Sequence, residues 1–152
     1  MEVAILATLI LLNGAFAMSE IALISARSSL LQARAQQGDS GAAAALRLKH
    51  DPTGLLSTAQ IGITCISILS GIVGAAALAP PLAGWLREIG LEANAASYLA
   101  TALVVVLITY FSIVFGELVP KRLGQLNPEA VARRIAQPMQ WLAAVARPFV
   151  RL

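Results

Sequence analysis

The sequence predicts an all-α integral membrane domain, with three transmembrane helices and a juxtamembrane helical belt on the cytoplasmic side. Two observations predict this class. Of 152 residues, 58% are hydrophobic and 12% charged, and the mean hydropathy is +0.77. A soluble domain is about 45–50% apolar and about 25% charged. The apolar residues also come in runs long enough to cross a bilayer core, which takes about 20 helical residues. An ordinary soluble enzyme domain, a disordered tail and a disulfide scaffold are excluded.

The first span is expected over residues 3–26. Its one charge is Glu20, and Arg27 closes it. Met1-Glu2-Val3 has no basic start and the apolar run is too long for a signal peptide, so the span is read as retained. The second span is expected over residues 54–79. Asp51 suits a helix cap and Pro52 the first helical position, and Thr53 to Leu86 holds no charge. Pro80-Pro81 is expected to end it. The third span is expected over residues 96–116, with Gly116, Glu117 and Pro120 disturbing its end.

Residues 28–50 read as short helices with a turn at Gly38-Asp39-Ser40-Gly41. After the third span, Asn127-Pro128-Glu129 predicts a helix start, and the helix is expected over residues 128–147. Val131, Ile135, Met139, Leu142 and Val145 recur at helical spacing on it. An interfacial helix on the inner leaflet is expected, against the alternative of a helix packed on protein. Pro138 and Pro148 are expected to kink or interrupt it.

Basic residues set the expected orientation. Arg27, Arg34, Arg47 and Lys49 lie between spans one and two, and only Arg87 between two and three. Lys121, Arg122, Arg133, Arg134, Arg147 and Arg151 follow span three. The positive-inside rule then puts the N-terminus outside and the C-terminus in the cytoplasm of a plasma (inner) membrane. Trp85 and Tyr98 flank the outer loop. The net charge of +3 goes with membrane lipid rather than nucleic acid, since no dense basic patch with aromatics exists.

One cysteine (Cys65) and one histidine (His50) cannot build a Cys/His metal site, so any metal must take oxygen ligands. Two carboxylates, Glu20 and Glu117, stand near the cytoplasmic ends of spans. Charge within a span is costly and marks candidate function. The bland alternative pairs them with Arg27 and Arg122. Pro120 has no N–H and clashes with the carbonyl four residues back, that of Gly116. Freed carbonyls beside Glu117 make a plausible hard-cation site. Asn13, Phe16, Ala17 and Glu20 share one face of the first span, with Ser19 about 100° from Glu20. Gln60, Thr64, Ser67, Gly71 and Gly74 form a stripe on the second. For Ser67, Gly71 and Gly74 the bland reading is helix packing or a dimer seam. Gln60, Gly62 and Thr64 lie at roughly the depth of Glu20 and Glu117. No motif for covalent chemistry is present, so an enzyme is not expected.

Three segments then resemble one known family. Asn13-Gly14-Ala15-Phe16-Ala17-Met18-Ser19-Glu20-Ile21-Ala22-Leu23, Gln60-Ile61-Gly62-Ile63-Thr64 and Gly116-Glu117-Leu118-Val119-Pro120-Lys121 look like the signature segments of the CorC/CNNM (HlyC/CorC, hemolysin-like) transporters. The resemblance covers essentially the whole chain. It implies a homodimeric transmembrane domain and Mg²⁺ efflux driven by Na⁺, with Mg²⁺ as cargo rather than cofactor. It also implies a cytoplasmic CBS-domain pair in full-length members, which lies outside this chain. Carried over by position, the cation site would involve Ser19, the Gly62 region and Glu117. With the neighbouring oxygen donors, the candidate cation set is Ser19, Glu20, Gly62, Thr64, Gly116 and Glu117, with Pro120 as the structural break.

One departure matters. Where magnesium-transporting members carry asparagine, this chain has Ile63, which offers no ligand. Relatives with this variant are linked to polyamine export. Three readings therefore stand: a Mg²⁺ exporter, a polyamine exporter using the same acidic cavity, and a membrane anchor or dimerisation module that transports nothing.

Overall fold

The computed structural model describes the backbone of residues 1–150 and side chains as far as Val145. It is helical throughout, without strands among the described residues. Helices α1 (Glu2–Ser25), α2 (Ser28–Gln36), α3 (Ser40–His50), α4 (Pro52–Glu88) and α5 (Ala93–Ile113) follow in order. A π-helical turn (Val114–Leu118) joins α5 to α6 (Val119–Leu126), and α7 (Pro128–Val150) is the last helix of the described residues. Three helices are long and apolar enough to span a membrane: α1, α4 and the continuous Ala93–Leu126 helix.

Local signals position the helix starts. Asp51 Oδ1 accepts from the Gly54 N–H at 3.0 Å, and Pro52 opens α4. Asp39 Oδ1 accepts from the Ala42 N–H at 3.0 Å at the head of α3. Gly38, at φ +90°, makes the turn between α2 and α3.

Two spans run further than their sequence suggests. The second helix does not stop at Pro80-Pro81 but continues to Glu88, 37 residues in all. Both prolines are exposed, while Ala79, Ala83 and Leu86 face inward against α5. The prolines thus remove hydrogen bonds on the outer side without disturbing the packed side. A break there would instead strand further backbone groups in an apolar medium. The third helix does not end at Gly116. Its π turn, one residue wider than an α turn, carries it through Pro120 to Leu126.

The core has two parts. At the end of the bundle where α4 meets α5, Leu6, Ala79, Val104 and Ile108 form one cluster, and Ala83, Leu86, Ala96 and Ala100 another. Trp85 and Tyr98 are exposed at this end. At the opposite end, α2, α3 and α7 form a belt around the end of α1 and the start of α4. Leu23, Leu31, Ala45, Leu48, Leu55 and Met139 meet there.

Helix α7 packs on protein. Its buried line is Ala132, Ala136 and Met139, so the expected apolar face is rotated by about one residue: Val131 and Ile135 are only half-buried and Val145 is exposed. Trp141 is left exposed. Gln140 Nε2 donates to the Ala44 carbonyl at 3.0 Å and Gln137 Nε2 to Ser40 Oγ at 3.1 Å, fixing α7 to α3. The helix passes Pro138, which is exposed, without interruption. The side chains of Arg147, Pro148 and Arg151 lie outside the described residues.

Candidate functional site

The site begins with the missing N–H of Pro120. In a regular α-helix that group would bond the Gly116 carbonyl. Here Asn13 supplies the donor from α1: its Nδ2 reaches the Gly116 oxygen at 3.1 Å, fully buried. The freed carbonyl is therefore taken by a protein amide. Close packing makes the contact feasible. A Cβ on Gly116 would lie 3.0 Å from Asn13 Nδ2, and one on Gly14 would lie 2.8 Å from Pro120 Cγ. Glycines at both places let α1 and the π turn meet.

That bond uses only half of the Asn13 side chain. Asn13 is 3% exposed, and its Oδ1 has no hydrogen-bond partner among the described residues. Ser112 Oγ, on α5, is likewise buried and unpartnered. Both residues line a cavity of about 110 Å³ between α1, α4 and α5, together with Ser67, Thr109 and Glu117. An unsatisfied buried polar atom costs about 1–3 kcal/mol. Two of them on one cavity, with a carboxylate alongside, offer oxygen atoms to a positive charge within a lining that also holds Ile108 and Ile113.

Glu117 also belongs to a second group of residues. Lys121 Nζ donates to Glu117 Oε1 at 2.8 Å and lies 3.8 Å from Glu20 Oε2. The carboxylates of two spans thus share one ammonium. The expected alternative partners are not the ones found. Arg27 instead pairs with Glu129 at 3.0 Å. The Glu20 Oε2 atom is buried and makes no hydrogen bond. Among the described residues no group of three or more His, Cys, Asp or Glu side chains gathers as a metal cage.

The remaining predicted residues scatter around this centre. Ser19 is buried, and its Oγ donates to the Ala15 carbonyl of its own helix. Gly62 is a packing position, since a Cβ there would fall 2.6 Å from the Phe16 ring. Thr64 and Gln60 are exposed, and Ile63 is the buried residue of that segment. Thr64 is therefore not part of the cavity lining, because the helix turns it outward. Lys121, Ser112 and Thr109 belong to the site but were not foreseen in it. The four-residue spacing of Glu117 and Lys121 on one helix was the available signal for the first. For the hydroxyls on α5 there was none beyond their span.

A larger cavity, about 490 Å³, opens in the belt beside Arg47, Asp51, Thr58 and Gln140. Three of its polar side chains are engaged in structure. Asp51 caps α4, Thr58 Oγ1 bonds the Gly54 carbonyl, and Gln140 bonds Ala44. The smaller cavity, with its unpartnered oxygens and carboxylate, is the better functional candidate.

A π turn, two acids and a cavity with unpartnered oxygens thus meet within one bundle of membrane-spanning helices. Residues 4–152 match the family described as the cyclin M transmembrane N-terminal domain, CNNM, and the chain belongs to that family. It is 44% identical over its whole length to a UPF0053 protein of Synechocystis, covering 34% of that protein. It is 35% identical over 95% of its length to a protein of Salmonella typhimurium named polyamine export protein, covering 32% of it. An Escherichia coli K12 protein of the same name is 34% identical over 98% of the chain, which covers 33% of that relative. The chain thus spans about a third of the length of these curated relatives.

Proposed function

We propose that this domain carries cations across the membrane as an exporter, with Glu117 as the carboxylate that neutralises the cargo. The observation that carries this reading is the double position of Glu117. It lines the cavity of unpartnered oxygens and at the same time binds an ammonium at 2.8 Å. A membrane anchor has no use for that arrangement. A transporter rather than an enzyme also fits the names of the relatives.

An organic polycation is the favoured cargo. The ion seated on the acids is an alkylammonium, and Ile63 offers no ligand at the position where the magnesium-transporting pattern has asparagine. The polyamine export relatives agree with this. Mg²⁺ is the second reading, favoured by the oxygen atoms that Asn13, Ser112 and Glu117 bring to the cavity and by its small number of carboxylates. Na⁺ as driving ion, a homodimer, a cytoplasmic CBS-domain pair, and a plasma (inner) membrane location with the N-terminus outside complete the proposal.

The test is thermal unfolding of the purified chain with putrescine, Mg²⁺ or Na⁺, for wild type and Glu117→Gln. Cargo that binds the native state raises the melting temperature, by about 2.7 kcal/mol of stabilisation at a hundred times Kd. The expected rise with putrescine disappears in the variant. A Mg²⁺-specific rise that is lost in the variant moves the assignment to the divalent ion. No shift with any cation leaves the anchor.

A further inference from the structure

The acid pair is short of one positive charge. Glu20 and Glu117 bring two carboxylates from two spans to one place, and a single ammonium, Lys121, faces both. That ammonium is committed to Glu117 at 2.8 Å. It stands 3.8 Å from Glu20 without a hydrogen bond, and Glu20 Oε2 is left buried and unpartnered. On the inner side of Glu117, Asn13 Oδ1 and Ser112 Oγ are buried acceptors with no donor. Each of these oxygens can accept a donor or a positive charge.

We propose that Lys121 is a tethered counter-ion that occupies the acid pair in the cargo-free state, and that a cargo of two or more positive charges displaces it. This rests on the cation-transport reading and adds to it a valence requirement and a displaced group. A dication neutralises both carboxylates, whereas Lys121 leaves one net negative charge behind. The tether makes this exchange feasible, because a lysine stem is flexible and Lys121 is one-third exposed, so its head can withdraw to water. It also keeps the acids from standing as an uncompensated pair in the span once cargo has left. A monovalent ion gains no such advantage over the built-in ammonium. Diamines and divalent metals share the required chemistry.

Lys121→Met keeps the stem and removes the charge. If the pair is free of Lys121 about a tenth of the time, the variant binds dications about tenfold more tightly. The readout is the apparent Kd from melting temperature against putrescine, Mg²⁺ and propylamine. Tighter binding of putrescine or Mg²⁺ in the variant is the expected result, and which dication responds identifies the cargo. The valence requirement is read in the wild type, where propylamine must bind more weakly than the responding dication because it only replaces the built-in ammonium. Binding in the variant with none in wild type supports the displacement equally. Unchanged or weaker binding in a folded variant overturns it and leaves the transport reading standing. No binding in either protein overturns both. Should the single variant fail to fold, the wild-type protein carries the test. A direct check is amine labelling of Lys121 with Lys49 as internal control. Saturating Mg²⁺ raises labelling at Lys121 alone if Mg²⁺ is the dication that responds, and an unchanged ratio in that case sinks the displacement.

Discussion

The two ends of the bundle settle their polar groups differently. Where α4 packs on α5, the buried contacts are Ala, Leu, Val and Ile, and the hydrogen bond that crosses, from Arg87 Nη2 to Ser97 Oγ at 3.0 Å, is exposed at the surface. The buried hydroxyl of Ser70, midway along α4, donates to the Ile66 carbonyl of its own helix at 2.8 Å. At the belt end the polar bonds cross between elements. Asn13 reaches Gly116, Lys121 reaches the acids of two spans, and Lys49 Nζ donates to the Ala26 and Ile24 carbonyls at the end of α1. A polar group satisfied within its own helix can be removed with little effect on neighbours. One that crosses leaves its partner stranded in an apolar medium. The far end is thus a clamp of small residues, and the belt end is the part in which a change at one helix is felt by another.

Close approach sharpens the contrast most strongly. A Cβ on Gly41 would run into the backbone carbonyl of Arg133, and one on Gly124 would lie 2.9 Å from the Met18 carbonyl oxygen. Backbone cannot step aside. At the far end, a Cβ on Gly74 would first meet Ile108 Cδ1, the tip of a side chain that can rotate. Gly41→Ala and Gly124→Ala should each destabilise the domain by about 2–3 kcal/mol, and Gly74→Ala by about 1 kcal/mol. Thermal unfolding in detergent measures this. Equal losses at the three sites would mean that the two ends do not differ in rigidity.

The next effect compares two buried polar groups. Asn13→Leu removes the donor that Pro120 cannot supply, and the Gly116 carbonyl stays buried without it. The expected cost is about 1–3 kcal/mol. Ser70→Ala leaves the Ile66 carbonyl with its helical partner and should cost less than about 1 kcal/mol. If Asn13→Leu proves as mild as Ser70→Ala, the π turn satisfies its own carbonyls and the cross-helix bond is incidental.

These same residues show what the sequence revealed and what it withheld. The helix starts at Pro52 and Pro128 were legible because capping is local: Asp51 and Asn127 precede the prolines that open α4 and α7. The depth of Glu20 and Glu117 was legible from the spans, and so was the consequence of Pro120 at Gly116. The answer to that consequence was not, because Asn13 lies 103 residues away. The helices also ran past their prolines for reasons of environment. Pro80, Pro81 and Pro138 turn outward, and no local rule states which way a ring will point. The rotation of the α7 face came from its partner, since alanines Ala132 and Ala136 allow closer approach than the larger residues beside them. Lys121 was counted as a cytoplasmic charge because a basic residue after a span usually is one.

The smallest expected effect lies in the belt itself, where Arg27 and Glu129 tie the exit of α1 to the start of α7. Glu129 Oε1 accepts from Arg27 Nε at 3.0 Å and from the Arg27 backbone N–H at 3.3 Å. The hydrogen bond from the Arg27 side chain, with further backbone donation, holds the Glu129 carboxyl below its usual range. A carboxyl whose folded pKa is depressed binds fewer protons folded than unfolded. Its stabilisation is therefore complete above the ordinary carboxylate pKa and is lost as pH falls through that value towards the folded one. Arg27 is 73% exposed, so solvent and salt screen the pair and the contribution is modest. Stability of the wild type should decline as pH is lowered from neutral through the carboxylate range, and Glu129→Gln should lose the part of that decline that depends on low salt. Unfolding curves for both proteins at two ionic strengths separate the pair from the other acids. An identical pH profile in the variant would assign the docking of α7 to its buried Ala132, Ala136 and Met139 line, its glutamine bonds and the Arg133–Asp39 pair at 3.1 Å, with no part left to Arg27 and Glu129.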